Sequence, residues 1–478
     1  MSQTTAIIGV TLIDGNGGEP APDTTLLVSD GRIGAVGPRT DIEVPTGAEM
    51  IDASGRFVTP GFVDTNVHVS LYGANFKERK ENAVFFFERG AEIALEAAQM
   101  HLKYGITHVR DSYGQLPQLI EVRDAIASGA EIGPRMQVAG NIVGWGGPFS
   151  ITFALMPEDD LSPWEEMFSD HIAQGAGEEL MDMYPDELKV AIGAYLDKGV
   201  DFLKYGGTTH WLYPTLISFS PEAQKIIVDE THARGLVAET HSTNPEGLRL
   251  SIEAGIDLIQ HPELIAEREL SDELIASIKD RNIVCSMLVS SMTGDAWEEH
   301  LEEKSEAEAK RAKDDPGWGR LRREFDRKET SFSARREKNE LGHHLAMRRL
   351  NAEKLIAAGC IVTLGGDNFV GAAPEFARIP KPIWQEPGIG TLMAIEGLVE
   401  LGMTPSQAIT AGTKNGAYAA KGSDDFGTIE VGKYADLLLF DDDPLENIGN
   451  IQRNSLVMRE GAVVDVGKLP TNPVFFNR

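Results

Sequence analysis

The strongest constraint on this fold comes from several short apolar runs. Each run ends near a side chain that can bind a metal ion. The runs are FVDTNVH, DFLKYGG, LVAETHS, IDLIQHPE and IVTLGGDN, and the polar residues concerned are His68, Lys204, His241, His261 and Asp367. Helix-like segments such as SPEAQKIIVDETHARG and TNPEGLRLSIEAG lie between them. Strands rich in Val, Ile and Leu that alternate with helices predict a parallel α/β barrel. Catalytic groups of such barrels lie at the C-terminal ends of the strands, so we expect these side chains to meet there.

Asn66 and His68 both lie on the first of these runs. Alternate residues on a strand point the same way, so the two side chains face one side and form a pair of potential ligands. The amide of Asn66 is neutral and is a much poorer ligand than an imidazole. The sequence therefore predicts a site in which one ligand position is weak.

Both ends of the chain have a different pattern from its middle. Residues 1–58 contain the runs AIIGVTLIDG and DTTLLVSDGRIGAVG, with Gly and Asp-Gly turn signals that fit short antiparallel strands. The segments ADLLLFDDDP and NSLVMREGAVV near the C-terminus also have the pattern of strands. The sequence therefore predicts strand-rich ends that flank the barrel.

The chain resembles the metal-dependent amidohydrolase superfamily, in its imidazolonepropionase-like branch, over nearly its whole length. Besides the strand ends, the segments that carry the resemblance are DGRIGAVG, VTPGFVDT and GTIEVGKYADLLLFDDDPLENI. The resemblance implies a (β/α)8 TIM-like barrel over residues 59–410. It also implies a small β-sandwich domain built from residues 1–58 and 411–478. Asn66 departs from the family's His-x-His pair, and this Asn-x-His variant is similar to the phenylurea hydrolases and molinate hydrolase.

The resemblance also implies a bound divalent metal ion. The ligand positions that it implies are Asn66, His68, an N6-carboxylated Lys204, His241, His261 and Asp367. Such nitrogen and oxygen ligands suit zinc or cobalt, and also manganese or iron. Because the Asn66 amide depletes one of two ligand sets, we expect one ion per subunit. The ion would be held by Lys204, His241 and His261, or by His68, His241 and Asp367.

Lys204 has to be modified if it binds the ion. A lysine ammonium has no lone pair to offer, whereas carboxylation by carbon dioxide would turn it into a carbamate with anionic oxygens. A structural salt bridge between Lys204 and Asp201 or another acid is the alternative that the sequence leaves open.

Asp367 has two predicted roles. It would bind the ion, and it would accept the proton of the attacking water and return it to the departing amine. Gly-Gly-Asp-Asn is also a turn sequence, so a purely structural role stays open. His241 and His261 are predicted to share the catalytic site, where a histidine that does not bind the ion would donate a hydrogen bond to the substrate carbonyl.

Aromatic side chains cluster near the predicted strand ends. The predicted substrate contacts are Trp145, Phe149, Tyr205, His210 and Phe369, with Trp211 and Tyr213 close by in the sequence. The long segment 145–187 would cover the substrate or else cap the barrel. Such a lining suits a neutral aromatic or lipophilic substrate, although ordinary packing of barrel loops is the alternative.

The resemblance implies a metal-dependent enzyme that cleaves the C–N bond of a neutral N-aryl urea and releases an aniline. A thiocarbamate hydrolase of the molinate type is one alternative. A prolidase-like dipeptidase or N-acyl amino acid hydrolase is another, and it would need Arg110 or Arg378 to bind the substrate carboxylate. Arg110 would otherwise pair with Asp111. A non-catalytic member is a further alternative, but such members lose several ligands, whereas this chain departs only at Asn66.

Composition limits the partners of the chain. A net charge of −30 and a pI near 4.7 repel nucleic acid and anionic membranes, so we expect a small neutral organic substrate. Cys285 and Cys360 lie in apolar runs and are predicted to be buried, inert thiols. The N-terminal residues lack the features of a signal peptide, which predicts a cytoplasmic protein. The family's habits imply a homo-oligomer.

Overall fold

Strands and helices alternate along most of the computed structural model, which describes residues 4–72, 86–154, 161–210, 215–265, 268–314, 343–370 and 383–469. In chain order the strands are β1 (Thr5–Leu12), β2 (Ala21–Ser29), β3 (Arg32–Pro38), β4 (Glu49–Asp52), β5 (Phe57–Pro60), β6 (Phe62–Tyr72), β7 (Ile106–Asp111), β8 (Arg135–Val138), β9 (Phe202–Gly206), β10 (Val237–His241), β11 (Leu258–Gln260), β12 (Val284–Met287), β13 (Ile361–Leu364), β14 (Asn368–Val370), β15 (Leu437–Phe440), β16 (Asn454–Arg459) and β17 (Ala462–Val463). The α-helices are α1 (Gly90–Lys103), α2 (Leu116–Ala127), α3 (Ile151–Ala154), α4 (Pro163–Ala173), α5 (Pro185–Leu196), α6 (Pro221–Ala233), α7 (Pro245–Ala254), α8 (Asp272–Asp280), α9 (Gly294–Asp314), α10 (His343–Ala358), α11 (Ile389–Glu400), α12 (Pro405–Gly412) and α13 (Lys414–Ala419).

The parallel strands β6 to β13 close into a barrel. Strands β9 to β13 pair in sequence order, and β8, β7, β6 and β14 form the neighbouring parallel sheet. Val143 bridges β8 to β9, because its N–H donates to Lys204 O (2.9 Å) and its carbonyl accepts from Gly206 N (3.0 Å). On the other side, Asp367 N donates to Asn66 O (2.7 Å), where the chain passes from β13 towards β6. The predicted (β/α)8 barrel is therefore confirmed.

Strands from both ends of the chain pair in one further sheet. Its order is β17-β16-β15-β5-β1-β2-β3, with β4 also paired to β1. The sequence predicted antiparallel strands in the N-terminal part, but β4 and β5 run parallel to β1, because the chain returns through residues 39–48 before pairing. Strand β5 crosses the predicted domain boundary at residues 58–59 and leads through Gly61 into β6. The domain limits themselves stay a prediction.

The predicted helices begin and end where their capping residues lie. Ser220 accepts a hydrogen bond from Ala223 N at the start of α6 (3.2 Å), and Asn244 accepts from Gly247 N at the start of α7. Gly255 ends α7 with a φ of 98°, which a residue with a side chain rarely adopts. The caps thus fix where α6 and α7 begin and end between the strands β9, β10 and β11.

The charged segment after β12 is partly described. It forms α9 and α10, and residues 315–342 between these helices lie outside the described residues. None of the helices within the described ranges is both long and apolar enough to cross a membrane. Cys285 and Cys360 are buried free thiols, which is how the sequence predicted them.

A fully buried ion pair lies inside the barrel. Arg110 on β7 and Glu239 on β10 are 3.1 Å apart, and both side chains have no solvent exposure. Gln260 Nε2 donates to the same carboxylate (2.8 Å), and the guanidinium lies 4.0 Å from the centre of the Phe202 ring. The predicted pairing of Arg110 with Asp111 is wrong, because neighbouring residues on a strand face opposite sides. Arg110 is therefore unavailable to a substrate carboxylate, and Arg378 lies outside the described residues.

We expect Arg110→Met to lower the free energy of unfolding by about 3–5 kcal/mol, because the buried charge of Glu239 then has no counterion. Arg110→Met combined with Glu239→Gln should cost less than the sum of the single changes. Urea unfolding measures both. Arg249, which pairs with Glu246 on the exposed side of α7, is the control. Its change to Met should leave the free energy of unfolding unchanged within error, and an equally small loss at Arg110 would contradict the prediction.

Candidate active site

The side chains predicted from the strand ends all lie at the C-terminal end of the barrel. Asn66 and His68 belong to β6, Lys204 lies on β9 and His241 is the last residue of β10. His261 follows β11 directly, and Asp367 lies between β13 and β14. All except the partly exposed Asp367 are buried. The structure thus brings together every residue that the sequence predicted as a ligand.

His261 and Asp367 adopt an unusual backbone conformation. Their φ angles are 38° and 49°, in the left-handed region that residues with side chains rarely occupy. The residue before Asp367 is Gly366, where an added Cβ would lie 2.2 Å from Asn368 Nδ2 and 2.5 Å from Asp64 Oδ2, so a side chain there would displace these two polar groups. Strained residues persist where the surrounding structure over-determines them, and they cluster at functional sites. The strain therefore supports a functional role for both residues.

Four titratable groups of the site form two close pairs. His68 Nε2 lies 2.8 Å from Asp367 Oδ1, and His241 Nδ1 lies 3.2 Å from His261 Nε2. Within the described parts of the chain, no group of three or more His, Cys, Asp or Glu side chains is arranged to hold a metal ion.

A chain of hydrogen bonds connects Lys204 with Asp367. Lys204 Nζ donates to Ser112 Oγ (3.0 Å), Ser112 Oγ donates to Asn66 Oδ1, and Asn66 Nδ2 lies 3.4 Å from Asp367 Oδ1. The alternative of a Lys204–Asp201 salt bridge is wrong, because Asp201 accepts from Arg123 Nη1 at 2.9 Å. The sequence pattern did not predict a site role for Ser112. Its one signal for such a role is that it directly follows β7.

Burial controls the charge of the basic groups. Loss of hydration lowers the pKa of His261 to about 3 and lowers the pKa of His241 well below its ordinary value. The same desolvation lowers the pKa of His68 and of Lys204. At neutral pH the three imidazoles are therefore uncharged, and each has a lone pair to offer.

Asp367 keeps its negative charge despite its surroundings. Burial alone raises the pKa of this carboxyl group, but the hydrogen bond from His68 reverses the effect and holds the pKa below its ordinary value. The lowered pKa of His68 means that this partner is a neutral imidazole that donates through Nε2. The pair therefore consists of a carboxylate and a neutral donor.

The chemistry of these side chains fits a divalent ion. Neutral imidazoles and a carboxylate are the ligand types that zinc and related ions prefer. Nδ1 of His68 and Nδ1 of His261 are buried and have no hydrogen-bond partner among the described residues. Lys204 joins this set only as a carbamate.

An aromatic wall of Tyr113, Trp145, Phe153 and His210 flanks the histidine pair. The Trp145 ring centre lies 4.8 Å from that of His241, and the rings of Phe153 and His210 stack at 4.6 Å. Tyr113 stacks on Phe153 at 5.3 Å. The sequence predicted Trp145 and His210 but missed Tyr113 and Phe153, although Phe153 lies in the segment that was predicted to cover the substrate.

The remaining predicted substrate contacts differ in their positions. Tyr205 faces the helices, where its hydroxyl donates to Gln224 Oε1 (3.0 Å), so its predicted substrate contact is wrong. The reason is the strand alternation, because Lys204 next to it faces inward. Phe149 packs in the apolar cluster of Trp145, and Phe369 on β14 lies beside His68. Trp211 and Tyr213 lie outside the described residues.

Several known proteins are similar to this chain in sequence or in fold. The sequence matches the Amidohydrolase family over residues 57–464. An imidazolonepropionase of Geobacillus sp. (strain WCH70) is 24% identical over 440 residues, which cover 87% of this chain and 83% of that protein. The structure of phenylurea hydrolase B has a TM-score of 0.85 at 29% identity and covers 99% of each chain. The structure of molinate hydrolase has a TM-score of 0.84 at 29% identity, covering 99% of this chain and 97% of that one.

Neutral buried histidines predict that the metal-free protein loses stability in acid. The pKa of His261 is about 3 in the folded state against 6.5 ordinarily, so the unfolded chain binds more protons between these values. Stability should be complete above pH 6.5 and should fall by up to about 1.4 kcal/mol per pH unit for each such histidine as the pH decreases. Urea unfolding of chelator-treated protein at several pH values measures this slope.

His261→Asn should reduce the pH slope, because the titrating imidazole is gone. His232→Asn, at a histidine that is more than a third exposed and pairs with Asp257, is measured alongside as the surface control. An unchanged slope in His261→Asn would show that this histidine is not buried in its neutral form.

Gly206→Ala tests how tightly the aromatic wall is packed. A Cβ at Gly206 would lie 2.1 Å from Trp145 Nε1, the atom that donates to Thr208 O (3.1 Å). We expect the indole to move and the free energy of unfolding to fall by about 1–3 kcal/mol. Gly18→Ala, at a glycine with open space around it, should have little effect in the same urea titration. Equal effects of the two changes would contradict the tight contact.

Proposed function

The chain belongs to the amidohydrolase family, and we propose that it hydrolyses a C–N bond of a neutral N-aryl urea with the help of a divalent metal ion. The observation that carries the proposal is the aromatic wall beside the neutral pair of His241 and His261. Similarity to phenylurea hydrolase B at 29% identity supports the same substrate class. Zinc or cobalt is the proposed ion, with a carboxylated Lys204 among its ligands.

The aromatic wall suits the aryl group of such a substrate. Phe153 is stacked between Tyr113 and His210, and Trp145 lies edge-on to the imidazole of His241. An aryl ring that packs against the side of this wall nearest the histidine pair would gain apolar burial and edge-to-face contacts. Its urea carbonyl would then lie near the histidine pair.

The residues supply proton transfer at the scissile bond. When bound, a divalent ion lowers the pKa of water and polarises a carbonyl. Asp367 is ionised and takes a proton from the attacking water, whose oxygen bonds to the urea carbon. Asp367 then returns the proton to the aryl-bearing nitrogen as the C–N bond breaks. The products are an aniline and a carbamic acid, which decomposes to an amine and carbon dioxide.

Electrostatics favours a neutral substrate over a dipeptide. A dipeptidase was predicted to need Arg110 or Arg378 to bind the substrate carboxylate. Of these two, the structure describes Arg110, which is fully buried and bound to Glu239 and is therefore unavailable. The net charge of −30 also disfavours anionic substrates at long range. A thiocarbamate is the second candidate, supported by the similarity to molinate hydrolase, because it presents the same kind of neutral carbonyl.

The test is a substrate panel followed by mass spectrometry. A dimethyl phenylurea, a thiocarbamate and an Xaa-Pro dipeptide are each incubated with the protein, with and without a chelator. We expect chelator-sensitive release of the aniline, and Asp367→Asn should lower kcat by about 10²–10⁴-fold because the proton acceptor is lost. Metal content is measured in parallel to show that the variant is still loaded.

Two other outcomes would assign a different substrate class to the chain. Release of an amine and a thiol from the thiocarbamate alone would select the second candidate. Turnover of the dipeptide alone would overturn the proposal and return the chain to the dipeptidase-like members of the family.

A further inference from the structure

The buried hydroxyl of Ser112 lies between the lysine and the asparagine of the site. Ser112 and Asn66 have no solvent exposure, and Lys204 is also buried. Ser112 N donates to Val67 O (3.0 Å), which holds the serine backbone against β6. Ser112 Oγ then contacts Lys204 Nζ on one side and Asn66 Oδ1 on the other. Because these groups are buried, the hydrogen bonds of Ser112 are protected from competition by bulk water.

The groups at the two ends of this hydrogen-bond chain fix its direction. Lys204 Nζ can only donate, and it keeps one N–H to donate even as a carbamate. Ser112 Oγ accepts from Lys204, so its single hydrogen is left for Asn66 Oδ1. At the far end the carboxylate of Asp367 can only accept. The Asn66 amide must therefore turn its oxygen to Ser112 and its nitrogen to Asp367, as the 3.4 Å contact of Nδ2 with Asp367 Oδ1 indicates.

We propose that Ser112 is a positioning residue that locks the Asn66 amide in this orientation, so that Asn66 donates a hydrogen bond to Asp367 instead of binding the metal ion. An amide nitrogen has no lone pair available for a metal, so only Oδ1 of Asn66 is a possible ligand atom. The hydrogen bond from Ser112 turns that oxygen towards the serine. The inference rests on the proposed metal-dependent hydrolysis, and it gives Asn66 a role that the ligand prediction did not include.

Cobalt-substituted protein separates a ligand from a hydrogen-bond donor. The intensity of the visible absorption bands of Co²⁺ depends on the number of ligands, and it can be read without turnover. Co²⁺ is loaded into the wild type and four variants, which are Asn66→Ala, Ser112→Ala, Ser112→Thr and the Asn66→Ala/Ser112→Ala double variant. The bound cobalt and the spectrum of each are then measured. Ser251→Ala removes a buried hydroxyl that donates to Gln224 away from the site, and it is the matched control.

The expected pattern depends on the amide. Asn66→Ala should keep the cobalt content and spectrum of the wild type but lower kcat by about 10- to 100-fold, because Asp367 loses a charge-assisted hydrogen bond. Ser112→Ala frees Asn66 Oδ1 to turn to the ion, so the bands should weaken. The double variant lacks the amide and should regain the wild-type spectrum. Ser112→Thr keeps the hydroxyl and should also keep the spectrum, as should Ser251→Ala.

Two results would overturn the proposal. A changed spectrum or lost cobalt in Asn66→Ala would show that Asn66 is a ligand. A wild-type spectrum in Ser112→Ala would show that the serine does not orient the amide. If Ser112→Ala does not fold, Ser112→Cys replaces it, since a thiol has the same shape and is a weaker donor. Failure of the wild type to bind any divalent ion would instead refute the proposed function, so the two failures are distinguishable.

Discussion

Burial of polar side chains at the ends of the barrel strands is the constraint on which this site depends. Loss of hydration penalises every charged form, so the histidines are neutral and the pKa of Lys204 is lowered. Asp367 keeps its charge because His68 donates to it. The same cost explains why Arg110 and Glu239 are bound to each other deeper in the barrel. The site chemistry thus follows from the barrel that excludes water from it.

The neutral amide of Asn66 changes the hydrogen bonding within this buried site. The ring nitrogen of an imidazole that faced the site would offer either a lone pair or an N–H, according to the tautomer. The amide offers an oxygen on one side and N–H donors on the other. Ser112 takes the oxygen, so the donors face Asp367. The departure from the family's His-x-His pair therefore adds a hydrogen bond to the carboxylate in place of a metal ligand.

The barrel and its ligand-type residues were predictable because their signals are local. His68, Lys204, His241, His261 and Asp367 each follow an apolar run, and the end of a parallel strand fixes where such a residue lies. Tyr205 was placed wrongly, although strict alternation from Lys204 would have turned it outward. Tyr113 and Phe153 follow no periodic pattern, and Ser112 has only its position directly after β7 as a signal, so their roles arise from contacts between segments distant in sequence. Glu239 as the partner of Arg110 is likewise a tertiary contact that no spacing reveals.

Charge balance inside the barrel connects the proposed lysine modification with the number of ions. Lys204 faces Glu239 and Asp367, and Arg110 lies beyond Glu239. The Asp111 carboxyl group also lies near Lys204, and burial raises its pKa well above the ordinary value. With an ammonium at Lys204, the four side chains of Lys204, Glu239, Asp367 and Arg110 carry no net charge. With a carbamate at Lys204, they carry two negative charges. A buried net charge is costly unless it is compensated, and a single divalent ion compensates this one completely. Counted over these four groups, a carbamate at Lys204 would balance one divalent ion, and a second ion would leave two positive charges.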